Sequence, residues 1–319
     1  MSGPEDIVEE FFPPAPPGQL PPIGVGLHLD VPHDRYLSDP CARPSLNASV
    51  AKEIAADAPL YGWYAHPRLG GDVGGGGTKS MDRGSIIHKL VLGRGQDFAT
   101  VPADDWRKDW AKRRRNEIRS VGLIPVLAAD MDDYTAEAET YTRKLRDDWG
   151  VTFDGVQTEV TAVWEEDGVL CRARYDGWRP DPATLIIDDL KTIPRANPRA
   201  CRMACHSFGY DLAAAHYIKG AEHLVADSDG RWNMRFIFLE GAPAFEVLVT
   251  EFAGTMRQVG EQKRRRGFDG WAGSIRLGTA RQYWPPRPRQ IVRLEAMPWA
   301  VAEDSDAAFA AFNNPPPAF

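Results

Sequence analysis

The chain has 319 residues, of which 43% are hydrophobic and 26% charged, and it contains 10 Trp and 13 Phe. This composition excludes a chain that is disordered throughout, and it supplies enough apolar surface for a substantial core. The formal net charge is −7, which does not favour a nucleic-acid partner but is compatible with a local basic surface. No apolar run approaches the ~20 residues of a membrane span, and the start resembles no secretory signal, so we expect a reducing cytoplasm and no membrane partner.

Proline is frequent at the start of the chain, and residues 1–44 are predicted to form an extended or disordered arm. A helix over VAKEIAADA follows, with Asn47 or Ser49 as its N-cap. The glycine-rich residues 70–78 are expected to form a flexible loop. A phosphate-binding loop is not favoured there, because that motif needs a glycine where Thr78 stands.

Helices and strands then follow one another along the chain, which favours an α/β fold with a central mixed sheet and helices on both faces. The helix over Met81–Leu92 has an apolar stripe that indicates a buried face. Residues 45–285 are predicted to form one domain, and residues 286–319, where proline returns, a flexible tail. The other predicted helices cover Met131–Trp149, Phe208–Leu224 and Glu251 to about Gly267, and strands are predicted within Gln157–Thr192 and Asn233–Phe252.

The stretch Cys171–Thr192 is the most informative part of the sequence, because a predicted strand, turn and strand bring three charged groups together. Asp176 ends the first strand, and the period of two places Asp189 and Lys191 on one face of the second. Asp188 points the other way, although a shift of one residue in register would exchange the two aspartates. Because a buried acid and a buried lysine are costly unless they are paired or bind a metal, this hairpin predicts a divalent-metal site.

The same residues resemble a known nuclease signature. Asp176, followed by Asp189-Leu190-Lys191 at the end of an apolar strand, is similar to the PD-(D/E)xK motif. The surroundings resemble the RecE-type (exonuclease VIII-like) branch over about residues 44–275. They include a Gly-x-x-x-His helix, a strand pair and an opening element, which correspond here to Gly84–Leu92, Gln157–Glu159 with Cys171–Asp176, and Pro44–Ser49.

The resemblance implies a role for each matching residue. Asp176 and Asp189 would bind Mg²⁺ or Mn²⁺, with the Leu190 backbone carbonyl as a further ligand. Lys191 would orient or help to deprotonate the attacking water and stabilise the phosphate. His88 would be another metal ligand, and Glu159 would bind a metal-bound water or a second metal. Hard oxygen donors suit Mg²⁺, and one imidazole makes Mn²⁺ acceptable.

The helix after the hairpin departs from the family pattern. Members usually carry a glutamine four residues before the tyrosine that corresponds to Tyr217, and this chain has Ala213 there. Tyr217 is a candidate phosphate contact. Two basic clusters are candidate DNA-binding surfaces, and they contain Arg113 and Arg114 in the first and Arg264 and Arg265 in the second. A solvated helix face is the alternative for each.

The resemblance therefore implies a metal-dependent DNA exonuclease that acts on duplex ends, from the 5′ end, and leaves a 3′ single strand for recombination. A ring-shaped homo-oligomer, a single-strand annealing partner and a phage or prophage source would fit. The alternatives are an endonuclease of the same superfamily, or a nuclease-fold DNA-binding or interaction module with weak or no activity. Ala213 is the feature that favours the last alternative, whereas the intact Asp176, Asp189 and Lys191 argue against it.

Overall fold

The computed structural model describes residues 20–71, 79–289, 291 and 293. The chain divides into two units, Met1–Pro286 and Arg287–Phe319, and every element named below lies in the first. The described helices are α1 (His33–Leu37), α2 (Ala48–Ala56), α3 (Pro59–Ala65), α4 (Lys79–Leu92), α5 (Asp109–Ser120), α6 (Ala128–Trp149), α7 (Pro198–Ser207), α8 (Tyr210–Leu224) and α9 (Gly254–Ile275). The described strands are β1 (Gly26–His28), β2 (Phe98–Val101), β3 (Ile124–Leu127), β4 (Gln157–Glu166), β5 (Val169–Arg179), β6 (Ile186–Ile193), β7 (Asn233–Glu240) and β8 (Val247–Glu251).

Six strands form one mixed sheet in the order β1-β4-β5-β6-β7-β8. The β6–β7 pair is parallel, and the other neighbouring pairs in this sheet are antiparallel. Strands β2 and β3 form a separate parallel pair. Helices cover both faces of the large sheet, which confirms the predicted α/β architecture.

Each face of the sheet has its own apolar cluster. On one face, α2, α8 and α9 pack against β4 and β5, with Trp164 and Tyr175 fully buried. On the other face, α4 and α6 pack against β6 and β7, with Ile87 and Ile237 fully buried. Burial of such side chains is the main favourable term for a sheet with two covered faces.

The segment before α2 differs from the predicted arm over residues 20–44. Strand β1 pairs with β4 at the edge of the sheet, and the carboxylate of Asp39, a residue of this same segment, is buried. That carboxylate lies 3.2 Å from the Arg172 guanidinium and 3.0 Å from His66 Nε2, and it accepts a hydrogen bond from Ser45 Oγ at 2.7 Å. These long-range contacts fix a segment whose local composition indicates an extended chain.

Parts of three predicted segments lie outside the described residues. They are residues 1–19 of the arm, residues 72–78 of the glycine-rich loop and most of the tail over residues 286–319. Among the helices that are described, none has both the length and the apolar character needed to cross a membrane.

Candidate metal centre and active site

Two carboxylates come from adjacent strands at the same level of the sheet. The β4–β5 register pairs Thr158 with Gly177 and Val160 with Tyr175, so Glu159 lies opposite Asp176. Glu159 has a left-handed backbone with φ of 57°, and the regular pairing is interrupted at this position. Such a conformation costs on the order of 1–3 kcal/mol for a residue with a side chain, and it is concentrated at functional sites.

His88 reaches both carboxylates from α4. Its Nε2 lies 2.8 Å from Asp176 Oδ2, and its Nδ1 lies 3.2 Å from Glu159 Oε1. One ligand atom from each of the three residues can be chosen so that all lie within 4.8 Å of one another. Gly84, one turn earlier, allows α4 to approach β6 closely, since a Cβ there would lie 3.1 Å from Thr192 Oγ1. The glycine of the Gly-x-x-x-His pattern is therefore explained by the close packing of α4 on β6.

The sheet opens at Asp176. Strands β5 and β6 are paired only from Gly177 opposite Asp188 to Arg179 opposite Ile186. Beyond that point the Leu190 N–H donates to Asp176 Oδ2 at 2.7 Å instead of to a strand neighbour. Because the N–H and C=O of a strand residue point to the same side, the Leu190 carbonyl faces the opening as well. This orientation is compatible with the predicted role of that carbonyl as a ligand.

Asp189 and Lys191 form an ion pair on the same side of β6, as the period of two predicts. Asp188 points the other way and forms ion pairs with Arg179 and Arg235, both at 2.6 Å. Asp189 is not a member of the His88, Glu159 and Asp176 group. In this arrangement Asp189 holds the lysine, and the closest set of metal-type donors is the histidine with the two opposed carboxylates.

The charges of the site shift the pKa of each member. Burial opposes protonation of His88, but Asp176 and Glu159 outweigh it and raise the pKa of His88. Burial and the neighbouring Asp176 raise the pKa of Asp189 to about 6, although Lys191 opposes the shift. The pKa of Lys191 is raised despite its burial, because Asp189 and Asp176 stabilise the ammonium. Lys191 is therefore a cation in this site, suited to donate hydrogen bonds.

A cleft of about 580 Å³ opens onto these groups. His33 and Tyr36 from α1 form one wall, and Tyr210 and Tyr217 from α8 form another. Tyr217, the candidate phosphate contact, lines the cleft, and its ring packs edge-on against Tyr175 with centroids 5.7 Å apart. Ala213, in the position of the family glutamine, is buried one turn earlier on α8.

Lys52 and Arg174 are site residues that the sequence analysis missed. The Nζ of Lys191 lies 5.4 Å from the centroid of the Tyr210 ring, and the Nζ of Lys52 lies 5.6 Å from the same centroid. Burial and the neighbouring Lys191 lower the pKa of Lys52 to about 8. Arg174 forms an ion pair with Glu159, and its alternation with Asp176 along β5 was a usable signal. Lys52 gave no such signal, because its position depends on how α2 packs.

The predicted DNA-binding arginines divide into two groups. Arg113 and Arg114 lie exposed on α5, and the Arg265 side chain is 72% exposed on α9. The prediction for Arg264 is wrong, because its side chain is only 4% exposed. It forms ion pairs with Glu166 at 3.0 Å and with Glu261 at 2.8 Å, so it holds the fold together and does not face a ligand.

The donor set fits a divalent cation. Two carboxylates and one imidazole converge, and the two like charges on neighbouring strands face the cationic groups of His88, Arg174 and Lys191. Oxygen donors suit Mg²⁺ and Mn²⁺, and the single imidazole is compatible with Mn²⁺. All four cysteines are free thiols in the buried interior, away from this donor set.

No protein-family model matches the chain, and no curated protein matches it significantly. The chain matches several solved structures, among them two exonucleases. A candidate exonuclease from Eubacterium rectale is 14% identical, with a TM-score of 0.48 over 81% of this chain and 92% of that one. A phage-related exonuclease from Haemophilus somnus 129PT is 8% identical, with a TM-score of 0.31 over 73% of this chain and 96% of that one. Because both TM-scores are below 0.5, these likenesses do not bear on the activity of this chain.

Proposed function

We propose that this protein is a divalent-metal-dependent nuclease that hydrolyses phosphodiester bonds of DNA. One observation carries the proposal: His88, Glu159 and Asp176 converge beside the Asp189–Lys191 ion pair where β5 and β6 separate. A metal donor set next to a half-buried ammonium suits phosphodiester hydrolysis, since negative charge develops on the phosphate oxygens.

The residues of the chain have separate tasks in this reaction. His88, Glu159 and Asp176 would hold the Mg²⁺ or Mn²⁺ ion, and the bound ion would polarise the phosphate and supply a nucleophilic water. Lys191, kept charged by Asp189, would donate to a phosphate oxygen and orient the attacking water. Its raised pKa favours this role over that of a general base. Arg174 would hold the Glu159 carboxylate in place beside the ion.

The size of the cleft supports action at a DNA end. Pockets of roughly 300–1,000 Å³ enclose ligands of drug size, and the cleft measures about 580 Å³. It would accept a short piece of one strand, so a duplex would have to separate at its end before cleavage. We therefore propose an exonuclease. By the resemblance to RecE-type enzymes, it would work from the 5′ end and leave a 3′ overhang for recombination.

Three further points belong to the same proposal and rest on the same resemblance. The protein would act in the cytoplasm of a bacterial host, encoded by a phage or prophage. It would assemble as a ring-shaped homo-oligomer around duplex DNA. A single-strand annealing protein would receive the overhang that it makes.

A digestion experiment tests the proposed function. Linear duplex labelled at the 5′ or the 3′ end, and a covalently closed circle, would be incubated with Mg²⁺, Mn²⁺ or EDTA. We expect Mg²⁺-dependent loss of the 5′ label and an intact circle, with Asp189→Asn and Lys191→Met reducing the rate at least about 100-fold. Cutting of the circle would favour an endonuclease. No cleavage by the pure protein with either metal would refute the enzyme and favour a binding module.

A further inference from the structure

The segment around α5 concentrates positive charge on an acidic protein. Between Asp104 and Ser120 there are seven Lys or Arg and four Asp or Glu, which gives +3 in a chain of net charge −7. Within α5 only Ala111 and Ile118 are buried. Only these two side chains of the helix are packed in the interior, and most of the others face solvent.

Part of this charge is free to bind a ligand. Lys112, Arg114 and Arg119 form ion pairs with Asp109, Glu117 and Asp82, respectively. Over the described residues, neither Lys108 nor Arg113 forms an ion pair with a carboxylate, although Asp105 interacts more weakly with Lys108. Arg113 lies two positions from Arg115 and therefore on the other side of α5, near Trp110. We call Lys108, Arg113, Trp106, Trp110 and Arg115, which surround the first turns of the helix, the α5 surface.

Aromatic rings are interleaved with these cations. The Trp110 side chain is 41% exposed at the start of α5. Arg115 places its guanidinium 5.7 Å from the ring centroid of Trp106. Trp106 is half-buried, whereas Trp110 is exposed. Accessible indole rings and cations without ion pairs are the elements with which proteins bind unpaired strands, since bases stack on the rings and phosphates contact the cations.

A cavity of about 240 Å³ lies beside Trp106 and Arg115. It is smaller than the roughly 300 Å³ at which pockets for drug-sized ligands begin, so it would hold one base. Tyr134 and Asp130 also line it, and the Asp130 carboxylate could accept a hydrogen bond from an exocyclic amino group. Arg83, Arg115 and Arg119 line the cavity as well, but Arg83 and Arg119 are paired with Glu137 and Asp82, and Arg115 lies against the Trp106 ring. The two aromatic rings in the lining, Trp106 and Tyr134, favour a base there.

This cavity and the metal cleft lie on opposite sides of α4. Asp82 and Ile86 line the cavity, whereas Gly84, Ser85 and His88 line the cleft. The separation is about one helix diameter, roughly 10–12 Å. A strand that leaves the cleft would reach the α5 surface by crossing α4.

We propose that the α5 surface binds single-stranded DNA next to the metal cleft, with phosphates on Lys108 and Arg113 and one base stacked on Trp106. The inference rests on the proposed function, because it assigns the path of an unpaired strand at that active site. It adds a binding site that does not take part in hydrolysis. Its loss should reduce strand binding and leave the metal centre intact.

Fluorescence anisotropy with a short labelled single strand, in EDTA so that nothing is cut, tests the site. We expect Trp106→Ala to weaken binding by about tenfold, as loss of one stacking platform would. Arg113→Ala should reduce the slope of log affinity against log salt by about 0.7. Trp106→Phe should retain most of the affinity, which separates stacking from a damaged fold.

Matched controls are available on α6. Trp149 is also 41% exposed, and Arg143 is an exposed arginine of the same helix. Trp149→Ala and Arg143→Ala should bind the strand like the wild type. If the α5 variants also bind like the wild type while Mg²⁺-dependent cleavage is normal, this inference is wrong and the nuclease stands. If strand binding depends on the α5 surface but no DNA is cut, the proposed nuclease fails and the binding site remains.

Discussion

Glu159 and Asp176 face each other across β4 and β5, and the His88 imidazole contacts both carboxylates, at 3.2 and 2.8 Å. Opposed like charges on neighbouring strands destabilise a sheet. Here the left-handed backbone of Glu159 adds a local cost as well. The Glu159–Asp176 pair therefore destabilises the protein when no cation is bound. A cation bound between the two carboxylates at the cleft would offset this repulsion.

Loss of His88 should weaken metal binding. We expect His88→Ala to bind Mn²⁺ at least about tenfold more weakly, because one nitrogen donor is removed from the set. Electron paramagnetic resonance of free Mn²⁺ during a titration measures this affinity. His223→Ala removes a distant imidazole that bonds to the Lys219 carbonyl on α8, and it serves as the control. Equal Mn²⁺ affinity for His88→Ala and the wild type would remove His88 from the metal centre.

Replacement of Lys52 should raise the stability of the protein and lower its activity. Among the described residues no carboxylate forms an ion pair with Lys52, and burial and Lys191 lower its pKa to about 8. Lys52→Met should therefore raise the melting temperature at pH 7, since it removes a poorly solvated charge next to another ammonium. The same change should reduce cleavage about tenfold, because Lys52 contacts the same Tyr210 ring as Lys191 and adds positive potential beside it.

Lys219→Met, on the surface of α8, provides the comparison for Lys52. It should alter neither the melting temperature nor the rate appreciably, as is usual for surface substitutions. A Lys52→Met protein that is less stable than the wild type and equally active would contradict the assignment of Lys52 to the site.

Arg264 and Arg265 should behave differently although they are neighbours in sequence. Arg264→Ala would leave Glu166, whose side chain is 11% exposed, without its partner and should cost about 3 kcal/mol of unfolding free energy, while Glu261 would keep its ion pair with Arg265. Arg265→Ala, at an exposed position, should change the stability by less than about 0.5 kcal/mol. Urea denaturation of both variants measures the difference, and similar losses would refute the structural role of Arg264.

His216 should make the protein sensitive to acid. Its ring is buried against Trp164, its Nε2 lies 3.1 Å from the Arg172 carbonyl oxygen, and burial lowers its pKa to about 3. The unfolded state takes up a proton near pH 6.5 and the folded state only near pH 3. The contribution of His216 is therefore complete above pH 6.5 and is lost as the pH falls toward 3, with a slope of up to about 1.4 kcal/mol per pH unit.

Denaturant titrations at a series of pH values test the prediction for His216. The unfolding free energy of His216→Asn should fall less steeply below pH 6.5 than that of the wild type. The comparison uses the two slopes, so a general loss of stability in the variant does not affect it. Identical slopes would show that His216 is not held neutral by the fold.

The β5–β6 hairpin could be predicted because its signals are local. The alternation of Ile187, Asp189 and Lys191 fixed which side chains share a face, and the turn residues fixed where the strand reverses. Asn47 is another local success, since its side chain accepts a hydrogen bond from the Val50 N–H at 2.9 Å, as expected of an N-cap.

Long-range contacts account for what the sequence did not reveal. Residues 20–44 look extended by composition, but Asp39 joins Arg172, which is 133 positions away in the chain. Lys52 reaches the site only because α2 packs beside α8. Arg264 was predictable in principle, because Phe268 and Trp271 follow it at helical spacing and place it on the buried face of α9.

We propose that the His88, Glu159 and Asp176 group binds the cation that DNA hydrolysis requires. The most direct test is the rate of hydrolysis of a linear duplex by the wild type and by Asp176→Asn across a range of Mg²⁺ concentrations. We predict saturable, EDTA-sensitive cleavage by the wild type and a rate at least about 100-fold lower for the variant at saturating Mg²⁺. Equal cleavage by both proteins, or cleavage that persists in EDTA, would contradict the account.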